Sequence, residues 1–253
     1  MLSSKIAVLL HLFYTDMWVD VKEYLKNLND HEYDLYVNLV DGHYENSIID
    51  EIRNFKNNAV VINSPNKGVD IGGFLYLYKI IDTDYDLVLK LHTKKSLGLP
   101  EKPSDYVKVY GYDSAVEKGN QWFHRLMGGV LDSKQQVNDI IQLLQDDENI
   151  FMMAGLDREI YVGPNKGLLQ NLSEVFSIPV EFEKDNLKKM CFVGGTIFWV
   201  RNNLLKKYLT KDKIDLLLKL LPEGYQNEPS YNHASERLFG MMVYNENKKI
   251  INL

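Results

Sequence analysis

Short apolar runs alternate along this chain with stretches whose apolar residues recur at helical spacing. Residues 5–14, KIAVLLHLFY, are almost unbroken apolar sequence and predict a first strand. Trp18, Val19, Val21, Tyr24 and Leu25 then recur at helical spacing within residues 17–28. The alternation continues with a strand over 33–42, a helix over 45–55, a strand over 58–68, a helix over 72–81 and a strand over 85–95. The order βαβαβαβ predicts an α/β fold with a mostly parallel central sheet flanked by helices on both faces.

Beyond residue 96 the regularity loosens. Residues 97–120 carry Pro, Gly and charges and read as a long loop, followed by a helical pair over 121–131 and 133–145. Strands are expected at 149–155 and 191–200, and a helix over 204–221. In that last stretch leucines interleave with Lys206, Lys207, Lys211, Lys213 and Lys219. Either the leucines pack on the sheet, or the segment is an interfacial helix making peripheral contact with an anionic membrane. The tripeptide Asn-Lys-Gly occurs at 66–68 and 165–167 with different flanks and reads as coincidence.

Composition narrows the class. With 253 residues, 45% of them hydrophobic, the chain suits one catalytic-sized domain with a real core. A net charge of −6 argues against a nucleic-acid partner. The single cysteine, Cys191, excludes an internal disulfide framework and a Cys-rich zinc site and fits a cytoplasmic setting. The amino-terminal apolar run is short, is broken by His11 and lacks a small-residue cleavage site, so it reads as a core strand rather than a secretory signal. No stretch reaches the roughly 18–20 apolar residues that cross a bilayer.

In an open α/β sheet ligands bind beyond the carboxyl ends of the strands, and four places there carry candidate chemistry. Asp41, before Gly42, could accept hydrogen bonds from a base or ribose, or form an ordinary Asp-Gly turn. Around Asn66, Gly68, Asp70, Gly72 and Gly73 a helix begins whose free N–H groups and positive dipole end suit a phosphate or sugar. The spacing is neither a Walker loop nor a dinucleotide fingerprint.

The third place is LVLKLHTKKS, residues 87–96. Lys90, His92, Lys94 and Ser96 share one strand parity, and ammonium groups on a buried face need an anionic partner. No carboxylate occurs within the stretch, which points to a polyanionic ligand; a solvated turn is the alternative. Last come Gly194, Gly195 and Thr196 with Phe198 or Trp199, which could floor a sugar site or belong to a core strand. His233, Glu236 and Arg237 would share one side of a helix. HEYDL at 31–35 lacks the second histidine of a zinc protease, there is no Gly-x-Ser-x-Gly elbow, and the histidines show no metal-ligand spacing.

Taken together, NKGVDIGGFL, LVLKLHTKKS, WFHRL, GGTIFWVR and HASERLFG occur in an order that resembles the rhamnan synthesis protein F family of glycosyltransferases, over about residues 60–240. The resemblance implies a GT-A-like, Rossmann-type fold in a single domain, with a nucleotide-binding half to about residue 97 and an acceptor half beyond it. It implies transfer of rhamnose or another hexose from a dTDP-, UDP- or GDP-sugar to a lipid-linked oligosaccharide at the inner face of the plasma membrane. Where that fold usually places a metal-binding Asp-x-Asp, this chain has His92-Thr93-Lys94. An inverting transfer without a divalent metal or other cofactor is therefore expected, with fixed cations steadying the leaving nucleoside diphosphate.

On that basis Glu236 is the first candidate general base and Asp70 the second. Asp41, Asn66, Gly68, Gly72, His92, Thr93, Lys94, Lys95 and Arg237 are assigned to the donor and its phosphates. Gly194, Gly195, Thr196, Trp199 and His233 are assigned to the acceptor, and Arg201 to phosphate or acceptor. The chain departs from the family pattern in having NEPSYN, without Asp-Gly, before HASERLFG, and Ile197 where Met is common, which leaves the donor sugar open. A noncatalytic module that binds a glycan or nucleotide sugar is the competing class, and a nucleotidyltransferase is a further one.

Overall fold

A computed structural model of the chain describes residues 4–95, 115–155, 158–159, 163–179 and 190–253. The first half follows the expected alternation: β1 (Ile6–His11), α1 (Trp18–Leu25), β2 (Tyr33–Val40), α2 (Ser47–Phe55), β3 (Val60–Ser64), α3 (Val69–Ile80) and β4 (Leu87–His92). Then come α4 (Ala115–Leu131), α5 (Lys134–Asp146), β5 (Ile150–Ala154), β6 (Arg158–Glu159), α6 (Lys166–Phe176) and β7 (Cys191–Phe192). The described chain closes with β8 (Phe198–Arg201), α7 (Asn202–Tyr208), α8 (Lys211–Leu220), α9 (Tyr231–Asn245) and β9 (Lys249–Asn252).

Seven strands form one sheet in the order β3-β2-β1-β4-β8-β5-β9. The run from β3 to β4 is parallel, β8 is antiparallel to both its neighbours, and β9 is parallel to β5. β6 and β7 pair separately. The predominance of apolar residues in β1, β2 and β4 is explained by burial on both faces. On one face Leu9, Val88 and Phe198 pack with α3, α6, α8 and α9; on the other Val8, Leu89 and Trp199 pack with α1, α2, α4 and α5.

Because β2 and β3 lie on one side of β1 and β4 on the other, the strand order reverses between β1 and β4. Ligand crevices open at such reversals, beyond the carboxyl ends of the strands. At that point His11 of β1 is the register partner of His92 of β4 on one side and of Asn38 of β2 on the other. Paired residues in a parallel sheet share a face, so these three polar side chains form a row beneath α3.

Several boundaries differ from the sequence expectation. The strand expected over 191–200 is two strands, because Gly195 (φ 80°) and Thr196 (φ 52°) turn the chain between β7 and β8. The helix expected over 204–221 breaks into α7 and α8 where Leu209 and Thr210 leave helical geometry. α4 begins at residue 115, inside the loop expected over 97–120; residues 97–114 of that loop lie outside the described residues. α6 and β9 were not anticipated. In α8, Ile214, Leu217 and Leu218 are buried and belong to the core, Leu220 packs against it partly buried, and Leu216 is 42% exposed. Among the described residues no helix is long and apolar enough to cross a membrane.

Candidate functional site

Lys90 lies in the middle of the sheet with no exposure. Its ammonium donates three hydrogen bonds, to Asp70 Oδ2 at 2.7 Å and to the carbonyl and hydroxyl oxygens of Thr196, both at 2.9 Å. The Thr196 hydroxyl in turn donates to Asp70 Oδ2. Every ammonium hydrogen therefore has an acceptor, which is what lets a charge persist in so dry a place. The carboxylate missing from the basic strand comes from α3, twenty positions earlier in the chain.

Strained backbone holds both partners around that lysine. Val69, immediately before Asp70, has φ 46°, and Thr196 has φ 52°. Both are β-branched residues in the left-handed region, a placement that costs about 1–3 kcal/mol each. Each follows a glycine in the same region, Gly68 and Gly195. The tight turn at 193–196 also presents the Gly195 carbonyl to His92 Nε2 at 2.6 Å. At that separation Nε2 donates.

The two candidate carboxylates sit in opposite electrostatic settings. Burial works to raise the Asp70 pKa, but the neighbouring Lys90 and His92 and the hydrogen bonds from Lys90 and Thr196 hold it well below the usual carboxylate range. Glu236, one third of the way along α9, is pushed up to about 7, first by burial and then by the negative charge of Asp70; Lys94, Arg237 and Lys90 oppose the rise. Its side chain retains 24% exposure, and its Oε2 lies 3.9 Å from Arg237 Nη1. Carboxylates whose pKa values are driven apart in this way can take different chemical roles.

Other expected residues are placed as follows. Lys94 is half-buried, its ammonium 4.3 Å from the ring centroid of Trp122, and it has no carboxylate partner among the described residues. Lys95 pairs with Asp16. Thr93 is buried and its hydroxyl accepts the Tyr14 N–H at 3.0 Å. Asp41 is exposed at the end of β2, where Asn63 donates to it. The Asn66 carbonyl accepts from the Gly224 N–H, while Asn66 Oδ1 is sealed from solvent without a partner.

The structure revises several expectations. The Gly68 N–H, expected to face a phosphate, donates to the Pro222 carbonyl at 2.7 Å. A Cβ on Gly72 would lie 1.6 Å from the Lys67 carbonyl oxygen, so this glycine serves the close turn before α3. Trp199, expected to offer a ring to the acceptor, is fully buried in the core against α4 and donates from Nε1 to the Val130 carbonyl. Thr196 is buried and its hydroxyl is committed to Lys90 and Asp70, while Gly194 and Gly195 form the buried turn around them.

On α9, His233 is half-buried beside Ser230 Oγ at 2.8 Å. Arg237 is buried, donating to the His233 carbonyl at 2.8 Å and to Glu228 at 3.0 Å, with its guanidinium over the Phe192 ring. These contacts make it a strut for the start of α9. Arg201 donates to the carbonyls of Ile150 and Asp147, tying β8 to the turn before β5.

Sequence reasoning singled out Lys90 on a buried parity but assigned it no role, and it did not connect His11 or Asn38 to the site. Each is a buried polar residue interrupting a mostly apolar strand, and that interruption was the available signal. Among the described residues no group of three or more His, Cys, Asp or Glu side chains is arranged to hold a metal ion.

The family described as rhamnan synthesis protein F matches residues 1–248. The chain is 25% identical over 190 residues to the uncharacterized protein WxcX of Xanthomonas campestris pv. campestris (strain B100), an alignment that covers 73% of this chain. It spans about a quarter (24%) of that relative's length. No solved structure matches the chain.

Proposed function

The chain belongs to the rhamnan synthesis protein F family, and from that premise we propose that it is a glycosyltransferase. On this proposal it moves rhamnose or another hexose from a nucleotide-sugar donor to a growing lipid-linked surface polysaccharide. The observation that carries the proposal is the contrast between two carboxyl groups: Asp70 committed to Lys90, and Glu236 half-buried, 24% exposed and poised near neutral pH. The parallel run β3-β2-β1-β4 with an antiparallel strand beside it supports a GT-A-like, Rossmann-type architecture.

In the transfer, Glu236 takes the proton of the acceptor hydroxyl as its oxygen forms a bond to the anomeric carbon. The bond from that carbon to the phosphate oxygen breaks, and its electron pair leaves with the nucleoside diphosphate. Attack from the face opposite the leaving group inverts the anomeric centre. Lys94, close to the crevice and without a carboxylate partner among the described residues, is assigned to the developing phosphate charge, with Lys95 able to join it by leaving Asp16. Asp70 is assigned the task of holding Lys90, since a carboxylate kept well below its ordinary range is a weak base.

The proposed transfer uses no divalent metal, and a lipid-linked acceptor places it at the cytoplasmic face of the plasma membrane. A thermal-shift screen with UDP, GDP, dTDP and their sugars identifies the donor, because a ligand stabilises the folded state according to its affinity. Release of nucleoside diphosphate is then followed with excess chelator present. Undiminished release is expected; loss restored by Mn²⁺ or Mg²⁺ contradicts the metal-free step, and donor binding without turnover favours a noncatalytic module.

A further inference from the structure

A chain of hydrogen bonds with one consistent direction runs along the carboxyl edge of the sheet toward His11. The Ser64 hydroxyl donates to the Pro65 carbonyl at 3.3 Å, Asn38 Nδ2 donates to Ser64 Oγ at 2.9 Å, and Asn38 Oδ1 lies 2.8 Å from His11 Nδ1. Since the amide nitrogen of Asn38 is committed to Ser64, its oxygen faces the histidine and can only accept. The Nδ1 atom of His11 must therefore carry the proton. In a neutral ring Nε2 is then a lone pair that can accept and cannot donate.

The ring is held in that orientation. A Cβ on Gly73 would lie 2.0 Å from His11 Nδ1 and 2.9 Å from Asn38 Oδ1, so α3 packs directly over the contact and leaves the pair no room to turn. His11 is 4% exposed, and its Nε2 has no hydrogen-bond partner among the described residues. Yet among the described residues Nε2 is not one of the polar atoms sealed from solvent without a partner, as Asn66 Oδ1 is. His11 also occupies the point where β1 and β4 part: its carbonyl accepts the Thr93 N–H at 3.1 Å, and its register partner is His92.

We infer that His11 is a ligand-binding residue of the β1/β4 crevice whose Nε2 accepts a hydrogen bond from an uncharged O–H or N–H group of the nucleotide-sugar donor. The inference rests on the glycosyltransferase proposal for the identity of that ligand. A sugar hydroxyl or a base N–H has the required chemistry, while a phosphate oxygen or a carbonyl at the same point meets a lone pair and is rejected. A site built to receive one polar group discriminates strongly against an analogue that cannot supply it.

The groups facing the ring preserve this role near neutral pH. Burial lowers the His11 pKa to about 4; Asn38 and Asp70 of α3 oppose the shift, and His92 and Lys90 of β4 reinforce it. The acceptor is therefore present at neutral pH and lost only in acid.

The test combines ¹⁵N NMR of the His11 ring with calorimetric titration of UDP, GDP, dTDP and their sugars. The ring nitrogens of the full chain should show a protonated Nδ1 and a bare Nε2 at pH 7. His11→Phe should weaken binding about threefold to tenfold, the scale of one neutral hydrogen bond. Equal weakening of diphosphate and nucleotide sugar places the partner on the nucleoside; weakening of the nucleotide sugar alone places it on the transferred sugar.

Asn38→Asp keeps the shape but puts an anion against Nδ1, which favours the doubly protonated ring. Its binding should fall toward acid pH and recover on raising the pH, while the wild type stays level from pH 6 to 8. A proton on Nε2 in the wild type, or unchanged binding in both variants, overturns the acceptor role and leaves the glycosyltransferase proposal standing. If wild type binds none of the six probes, the nucleotide-sugar proposal falls and this inference with it.

Discussion

Lys90 of β4 and Asp70 of α3 meet Nζ to Oδ2 at 2.7 Å, with the lysine fully buried and the aspartate side chain 18% exposed. Asp70→Asn removes the counter-charge and leaves the ammonium in the core. Breaking a buried pair from one side costs about 3–5 kcal/mol. Urea unfolding should register a loss of that order, and the double variant Lys90→Met, Asp70→Asn should recover a large part of it. Equal stability of wild type and Asp70→Asn would contradict the role given to the pair.

The same pair sets an acid limit. Asp70 has a folded pKa held below its unfolded value, so its contribution is fully present above about pH 4, the unfolded range of an aspartate, and is lost as the pH falls toward its folded pKa. Wild type should lose stability more steeply below pH 4 than the double variant does. Parallel acid denaturation curves would count against this.

Glu236 predicts a pH profile for transfer. With a pKa of about 7, the base form gains population as the pH rises through neutrality, so kcat/KM should climb to a plateau above it. Asp70 raises the Glu236 pKa through its negative charge. Asp70→Asn, where it folds, should therefore move the limb to lower pH, and Lys94→Met should move it higher. A limb that stays in place in both variants would separate the profile from Glu236.

Val69 stores strain immediately before Asp70. Glycine adopts φ 46° without steric cost, so Val69→Gly should relieve about 1 kcal/mol in the folded state, offset in part by the freer unfolded chain. Turnover should fall because Asp70 is held less firmly over Lys90. Denaturant midpoint and turnover measured on the same preparation check the two effects together; a drop in both stability and activity would show that the Val69 side chain, not its backbone, matters there.

Gly73→Ala tests the packing of α3 against the His11 and Asn38 pair. The added methyl has 2.0 Å to His11 Nδ1 and must displace it, at a cost of about 1–3 kcal/mol. The His11 ring resonances should shift while those of the β5 and β9 edge do not. A variant with wild-type stability and unchanged His11 signals would mean that α3 yields there.

Much of this architecture was legible because β1, β2 and β4 are buried on both faces, and such strands must be written as apolar runs. The break between β7 and β8 was hidden: Gly194, Gly195 and Thr196 interrupt an apolar segment too briefly to announce a turn, and Thr196, a β-branched residue, takes a left-handed φ while bonded to Lys90 and Asp70. Lys90 was visible as a polar residue on a buried parity, but its partner is brought in by the α3 crossover, which residue spacing does not encode. Trp199 was ambiguous for the opposite reason, since a large aromatic near glycines fits a sugar platform and a core equally well. His11 stood out only as an interruption; its register with Asn38 and His92 had to come from the paired strands.

The most direct test of the central claim compares nucleoside diphosphate release and sugar transfer by wild type, Glu236→Gln and Asp70→Asn with the donor that binds. Wild type should turn over. Glu236→Gln should bind donor normally and lose about a hundredfold or more in kcat, the scale of general base catalysis. Near-normal turnover by Glu236→Gln, with Asp70→Asn folded, able to bind donor and inactive, would contradict the assignment of Glu236 as the base.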